Sequence, residues 1–483
     1  MKGFRSRAAL LALVGALVAF ACSRPAPGVP QPLRRDAEIG WIWSESFEAG
    51  GRSWSNALGL RDRPHLPRPA AGALRILVVG DQRALEPGVP ELAIPQLVEQ
   101  ALWMSDPSRD WELINAGVVG YGPAQVAAYC RVRGLDLKPD AVVLLLNGTD
   151  DLSGRSDPAP RRPEPGAAYR RRIAPGGEGR ARAALWKLSE LGSRRGLWLG
   201  WAQSEPNGIW IQGRIAGFGF RTDPDRALEI SLEATPLPRP GPAQSLELEV
   251  NGRALGAQRM VAGIWSRQRW RVEPAQLRSG INVARLRAAW ALSPQALTGS
   301  PDPRLLSAQV RAIGFSRPVE RVDLEDGDRL VDPVLRPWVA APDAAELRLQ
   351  LEPFQRLESA SIARAIGASL EQLSQLDREL ERRRVPWILA ALPHPIQLAP
   401  DSFAAPLARW RWAPEGLDFD RPQRLLSAWS RDAGVSFLDL RRAMAEAGAP
   451  LWDPALDRWL YPARRAAADS IAAELRRLLT SNS

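Results

Sequence analysis

Two histidines, His65 and His394, are the only imidazoles in the 483-residue chain. Acyl transfer by a side-chain hydroxyl needs a base that titrates near neutral pH, and imidazole is the usual one. His394 stands in Pro393-His394-Pro395, directly after the apolar run Val385–Leu392, and Thr149 and Ser153 follow the apolar run Ala141–Leu146. If both runs are strands of one parallel sheet, their carboxyl ends carry hydroxyl and imidazole to the same rim. One reading therefore makes His394 the base for Thr149 or Ser153. The simpler reading leaves His394 in a proline-bounded loop, and His65 likewise in Arg-Pro-His-Leu-Pro; it needs fewer coincidences. Asp81, Asp150 and Asp151 close the same turns, but aspartates there also serve as ordinary caps. With two histidines and two cysteines, no metal-ligand spacing occurs, and no cofactor is expected. Cys130, inside an apolar-periodic run, reads as buried rather than reactive.

The elements that must position these groups are legible in the patterning. Arg75–Val79, Glu112–Ile114 and Ala141–Leu146 read as buried strands, separated by helices from Pro95 and over Pro123–Arg133. Continuous apolar strands with helical crossovers make a parallel sheet covered on both faces. The pattern resumes with helical spacing from Ile362 to Leu380, strand Val385–Leu392, helix Leu425–Asp432, strand Val435–Leu440 and a closing helix Ala466–Leu479. Between these halves the period changes to two. Leu228, Ile230, Leu232 and Ala234 alternate with polar residues, as do Leu246, Leu248 and Val250, after which Asn251-Gly252 signals a hairpin turn. Runs through Ala284–Trp290 and Val310–Phe315 complete a pattern of short strands that predicts a β-sandwich. Trp198, Trp201, Trp210, Trp265, Trp270 and Trp290 are candidates for a sugar-stacking face, although sandwich aromatics more commonly fill the core.

Four blocks in the first half resemble those of the SGNH (GDSL-type) hydrolases, a family of esterases and acetyl-transfer enzymes. Gly80-Asp81-Gln82 lies where the family has Gly-Asp-Ser, Asn115–Gly120 matches its second block, and Gly148-Thr149-Asp150 lies where it has Gly-Asn-Asp. Asn56–Asp62 is similar to an N-x-x-G-x-R-D segment of bacterial members. The resemblance implies an α/β fold, a three-layer, flavodoxin-like parallel sheet. The Asn-Gly turn pattern resembles a jelly-roll module of the carbohydrate-binding kind inserted after the third strand. The expected organisation is a signal peptide with lipobox (1–22), a tether (23–40), and the first part of the SGNH-like domain (41–155). An Arg/Pro/Gly-rich connector (156–196), the inserted sandwich (197–318) and the second part of the domain (319–483) follow.

The same resemblance implies a substituted site. The family's serine is Gln82 here, its asparagine is Thr149, and the histidine after the final aspartate, Asp457, becomes Trp459 or Leu460 by the family's spacing. An amide attacks nothing and an indole accepts no proton. Of the oxyanion-hole groups only Gly120, whose amide the family uses, keeps its identity, and Asp457 is left with no imidazole to orient. Losing one member of such a triad typically costs ~10⁴ in rate or more. The expectation is an inactive esterase site with Asp81, Gln82, Gly120, Thr149, Asp150, Asp457 and Trp459 as its remnants. The alternative is an esterase or O-acetyl transferase acting on acylated glycans, rewired through Thr149 or Ser153 with His394.

Met1–Ala21 has a basic start and an apolar core, and Ala19-Phe20-Ala21-Cys22 resembles a bacterial lipobox that would place a lipid on Cys22. Ser23 after it would favour sorting to the outer membrane of a Gram-negative cell, and export to the periplasmic side would put the chain beside envelope polysaccharide and its assembly proteins. The formal charge of +10 is carried by arginine, since Lys2, Lys138 and Lys187 are the only lysines. The densest cluster, Arg161 to Arg182, suits either a solvated connector or contact with anionic lipid or acidic polysaccharide. No nucleic-acid module is legible.

Overall fold

A computed structural model describes residues 32–481 except 50–51, 87, 149–150, 154–181, 192–195, 240, 324–326, 329, 331, 333, 336–343, 357–358, 449 and 455–457. Five strands, β1 (Ala73–Gly80), β2 (Asp110–Gly117), β3 (Ala141–Asn147), β4 (Trp387–Leu392) and β5 (Ser436–Asp439), form a parallel sheet in the order β2-β1-β3-β4-β5. The order reverses between β1 and β3, and such reversals open a crevice at the strands' carboxyl ends. Helices α1 (Ile94–Ser105), α2 (Pro123–Val132), α3 (Ala360–Arg383), α4 (Arg421–Ala433) and α5 (Tyr461–Ser481) cover both faces. Ile76, Val78, Val143, Leu145 and Ile388 share one core with α1 and α5; Leu77, Val79, Val142, Leu144 and Leu389 share the other with α2 and α3. Alternation along each strand thus feeds two cores, which is why β3 is apolar throughout.

The helices begin earlier than periodicity predicts. In α4 and α5 the first turn carries Pro422 and Pro462, residues that suit a helix start but interrupt an apolar stripe. In α3 the stripe of Ile362, Ile366, Leu373, Leu376 and Leu380 is buried, and Ser359 caps its start by accepting the Ile362 N–H at 3.3 Å.

The inserted antiparallel sheet has ten strands and spans Arg182–Arg321, beginning inside the expected connector. Its first strand, Arg182–Lys187, lacks alternation because Trp186 is its one buried side chain, so there is no period to detect. Trp186 packs against Phe315 with ring centroids 4.8 Å apart. The Asn251-Gly252 turn forms as expected, with φ of +52° and +81°. Of the tryptophans, Trp201 and Trp270 are core, while Arg311 stacks on Trp265 at 4.7 Å and Arg239 on Trp290 at 4.3 Å. The expected tether ends in structure: Leu33–Asp36 pairs with Gly40–Trp43, and the indoles of Trp41 and Trp43 donate to Val119 O at 2.9 Å and Gly117 O at 3.0 Å. Cys22 and almost all of the arginine cluster lie outside the described residues.

Strand β2 ends the sheet, and carboxylates cap its outward amides. Asp62 accepts the N–H of Asn115 at 2.8 Å, and Glu99 accepts that of Leu113 at 3.1 Å. Asp62 also pairs with His65 at 2.9 Å, whose other ring nitrogen meets Glu112 at 2.8 Å. Burial opposes charge on His65, but the two carboxylates outweigh it and hold the imidazolium above its ordinary pKa. Glu99 is 1% exposed and is clasped by Arg63 and, across the domain boundary, by Arg285 at 2.7 Å. Burial alone would raise its pKa; the two guanidinium groups instead hold it well below the carboxylate range. Arg278 to Glu91 (2.7 Å) and Arg214 to Asp110 (2.9 Å) join the insert to the same flank.

Breaking a buried pair strands the surviving charges, at a cost of about 3–5 kcal/mol. Glu99→Ala is expected to lose stability on that scale in urea titration. Glu190→Ala, which removes an exposed pair to Lys187, is expected to stay within about 1 kcal/mol of the parent. Equal, small losses would contradict the clamp.

Candidate functional site at the carboxyl rim

Strand β1 ends at Gly80, and the chain turns into a short 3₁₀ segment, Gln82–Ala84, capped by Asp81. The Asp81 carboxylate accepts the Arg83 N–H at 2.8 Å and pairs with the Arg83 guanidinium at 2.8 Å. Strand β2 ends in Gly117, and three residues later Gly120 turns with φ of +70°, a conformation that favours glycine. The two turns meet: the side-chain carbonyl of Gln82 accepts the Gly120 N–H at 3.0 Å. That hydrogen bond links two of the sequence-predicted site residues. Asn115, from the same block, is structural, donating to Ala84 O at 2.8 Å and accepting the Gly117 N–H at 3.0 Å.

The turn after β3 is tied down locally. Asp151 accepts the Asn147 N–H at 2.7 Å, and the Asp151 carbonyl accepts the Ser369 hydroxyl of α3 at 2.9 Å. Ser153 is buried at 6% exposure. Thr149, Asp150 and Asp457 lie outside the described residues.

His394 follows β4, as the sequence predicts, and is 2% exposed. Its Nδ1 accepts the Ile396 N–H at 3.2 Å, which makes it the cap of a 3₁₀ turn. The proton then sits on Nε2, which faces Gln350 Oε1 at 3.4 Å. Phe354 and Phe403 flank the ring at 6.0 and 5.5 Å. Burial pushes its pKa down to about 3, and the positive charge of Arg83 acts in the same direction. A neutral imidazole with both nitrogens engaged in the fold is a poor acceptor for a proton at neutral pH.

Trp459 belongs to a pair of two-residue antiparallel strands, Trp452–Asp453 with Arg458–Trp459, stacks edge-on against Trp452 at 4.9 Å, and is 3% exposed in the core shared by α1 and α5. Its neighbour Arg458 is also buried and donates to Glu86 at 3.1 Å. Among the described residues the rim carries the Gln82 amide, a backbone N–H already occupied, and the Asp81–Arg83 pair. Sequence reasoning missed Arg83 and Gln350, which no spacing marks. Among the described residues no group of three or more His, Cys, Asp or Glu side chains is placed to hold a metal, and no helix is long and apolar enough to cross a membrane.

No family model and no curated protein matches the chain. Among solved structures, a carbohydrate-binding module, CBM36, in complex with calcium and xylotriose is similar at 12% identity and TM-score 0.18, over 28% of this chain and all of that one. The CBM22-1 xylan-binding domain of Paenibacillus barcinonensis Xyn10C is similar at 12% identity and TM-score 0.20, over 30% of this chain and 96% of that one. A two-domain esterase, CEX, active on acetylated mannans, is similar at 14% identity and TM-score 0.16, over 51% of this chain and 92% of that one. Similarities of this order leave the function to the residues themselves.

Proposed function

We propose that the chain is a non-catalytic member of the SGNH hydrolase fold, exported and lipid-anchored through Cys22, that binds glycan and scaffolds envelope polysaccharide modification or assembly. One observation carries the reading: the Gln82 side-chain oxygen sits on the Gly120 N–H at 3.0 Å. Oxyanion stabilisation requires donors left open for charge that develops during reaction, and one such donor is worth roughly 10²–10³ in rate. Here the residue at the nucleophile position both lacks a hydroxyl and fills the donor. The histidine position adds nothing, because Trp459 is packed in a core. His394, the only imidazole after β4, is buried and acts as a cap.

A fold that keeps its frame while its reacting groups are replaced retains surfaces, and surfaces bind. The inserted antiparallel domain, clamped to the sheet by Arg285 and Arg278, enlarges that surface.

Purified protein is expected to hydrolyse p-nitrophenyl acetate and acetylated xylan no faster than buffer. The variant Gln82→Ser/Thr149→Asn/Trp459→His provides the comparison in which activity is regained if the frame is intact. A wild-type rate that Thr149→Ala, Ser153→Ala or His394→Ala removes would establish the esterase or O-acetyl transferase instead. For the anchor, the mass of the mature protein isolated from its native membrane is expected to fit a diacylated or triacylated Cys22 terminus. An unmodified terminus beginning elsewhere would remove the lipid from the account.

A further inference from the structure

Where the insert docks, a cleft of about 700 Å³ opens between residues 46–49 and 54–64, the start of α1 and the insert loops around Asn251 and Ser279. Its volume falls among those of pockets that hold small organic ligands, about 300–1,000 Å³. Gly252, at the tip of the insert hairpin, closes one wall: a Cβ there would stand 3.1 Å from Arg63 Cβ.

The acidic side chains of this cleft are already matched. Asp332 pairs with Arg61, Glu91 with Arg278, Glu249 with Arg285, and Asp62 with His65. Arg253 lines the cleft half-buried, and its guanidinium makes no ion pair or hydrogen bond among the described residues. Gln100 also lines it, is 1% exposed, and has a side-chain oxygen without a hydrogen-bond partner, while its amide donates to Glu91 O at 3.3 Å. Two indoles complete the lining. Trp54 donates its N–H to Asp332 at 2.9 Å and Trp198 to the Tyr461 hydroxyl at 3.3 Å, so each ring reaches the cleft as apolar surface with its polar tip engaged.

A ligand suited to this wall needs a negative charge for Arg253, a hydroxyl to donate to Gln100, and apolar C–H faces for the indoles. A guanidinium recognises carboxylate by paired N–H donors, and a buried amide oxygen without a donor carries a penalty that a ligand hydroxyl removes. A bare inorganic polyanion offers no hydroxyl donor and no apolar face. A neutral sugar offers no charge. We infer that the interdomain cleft binds a short acidic oligosaccharide, with Arg253 on a uronate carboxylate, Gln100 on a hydroxyl, and Trp54 and Trp198 against sugar rings. The assignment rests on the glycan-binding reading above and gives it a place and a ligand class.

Calorimetry on the full chain tests it with three probes: trigalacturonate, xylotriose and tripolyphosphate. Trigalacturonate is expected to bind at one site, at least tenfold more tightly than xylotriose or tripolyphosphate. Arg253→Gln is expected to weaken trigalacturonate at least tenfold without changing xylotriose, and Gln100→Leu to weaken both sugars. Arg226→Gln, at an exposed arginine of the insert, is expected to change nothing. Melting curves exclude variants that have unfolded, and Arg253, partly exposed at a hairpin, is the substitution least coupled to folding. Trigalacturonate binding that Arg253→Gln and Gln100→Leu leave intact would overturn the cleft while keeping the glycan reading. Tripolyphosphate binding as tightly as trigalacturonate would overturn recognition of an acidic sugar. Failure of both saccharides to bind would overturn the cleft and the glycan reading together.

Discussion

The outward amides of β2 are the constraint around which the molecule is assembled. An edge strand with open N–H groups invites pairing with another chain, and here two of those groups end on carboxylates. Burying Asp62 and Glu99 is tolerable because each is paired in turn, Asp62 with His65 and Glu99 with Arg63 and Arg285. Protection of the edge and attachment of the insert are therefore one arrangement. Arg285 belongs to the inserted sheet and Glu99 to α1, so the domain that covers the flank also neutralises the charge that caps it. The recess holding Arg253 and Gln100 lies along this seam.

The rim follows a different logic. In a working acyl-transfer site the donors wait for a charge that develops only during reaction. The Gln82–Gly120 bond satisfies the donor in the resting protein, so the turn is settled without substrate. His394 is likewise held by the fold. Its pKa, about 3, follows from burial first and from Arg83 second, and its ring nitrogens hold a 3₁₀ turn and face Gln350. Gln82 and His394 thus both hold turns of the scaffold.

Much of this was legible in the chain, for reasons that differ by element. The strands of the parallel sheet stand out because burial on both faces leaves Ala141–Asn147 without a polar side chain until its last residue. Strand order was not legible, since periodicity names no partner. The first turns of α4 and α5 were obscured by Pro422 and Pro462, and Arg182–Lys187 by having Trp186 as its one buried residue. The resemblance singled out Gln82 and Trp459, but the hydrogen bond from Gly120 was not legible, because it depends on two turns meeting. The clamp and the cleft were out of reach altogether: Glu99 and Arg285 are 186 residues apart, and only docking brings them together.

The central claim is that the rim offers no activated hydroxyl, and covalent labelling tests it without assuming any substrate. A fluorophosphonate phosphonylates a serine or threonine whose proton a nearby base removes, so it reports the nucleophile itself. Intact-mass spectrometry of the folded chain after incubation with excess probe is expected to return the unlabelled mass. A single stoichiometric adduct on Thr149 or Ser153, lost when the protein is denatured before labelling, would contradict the account.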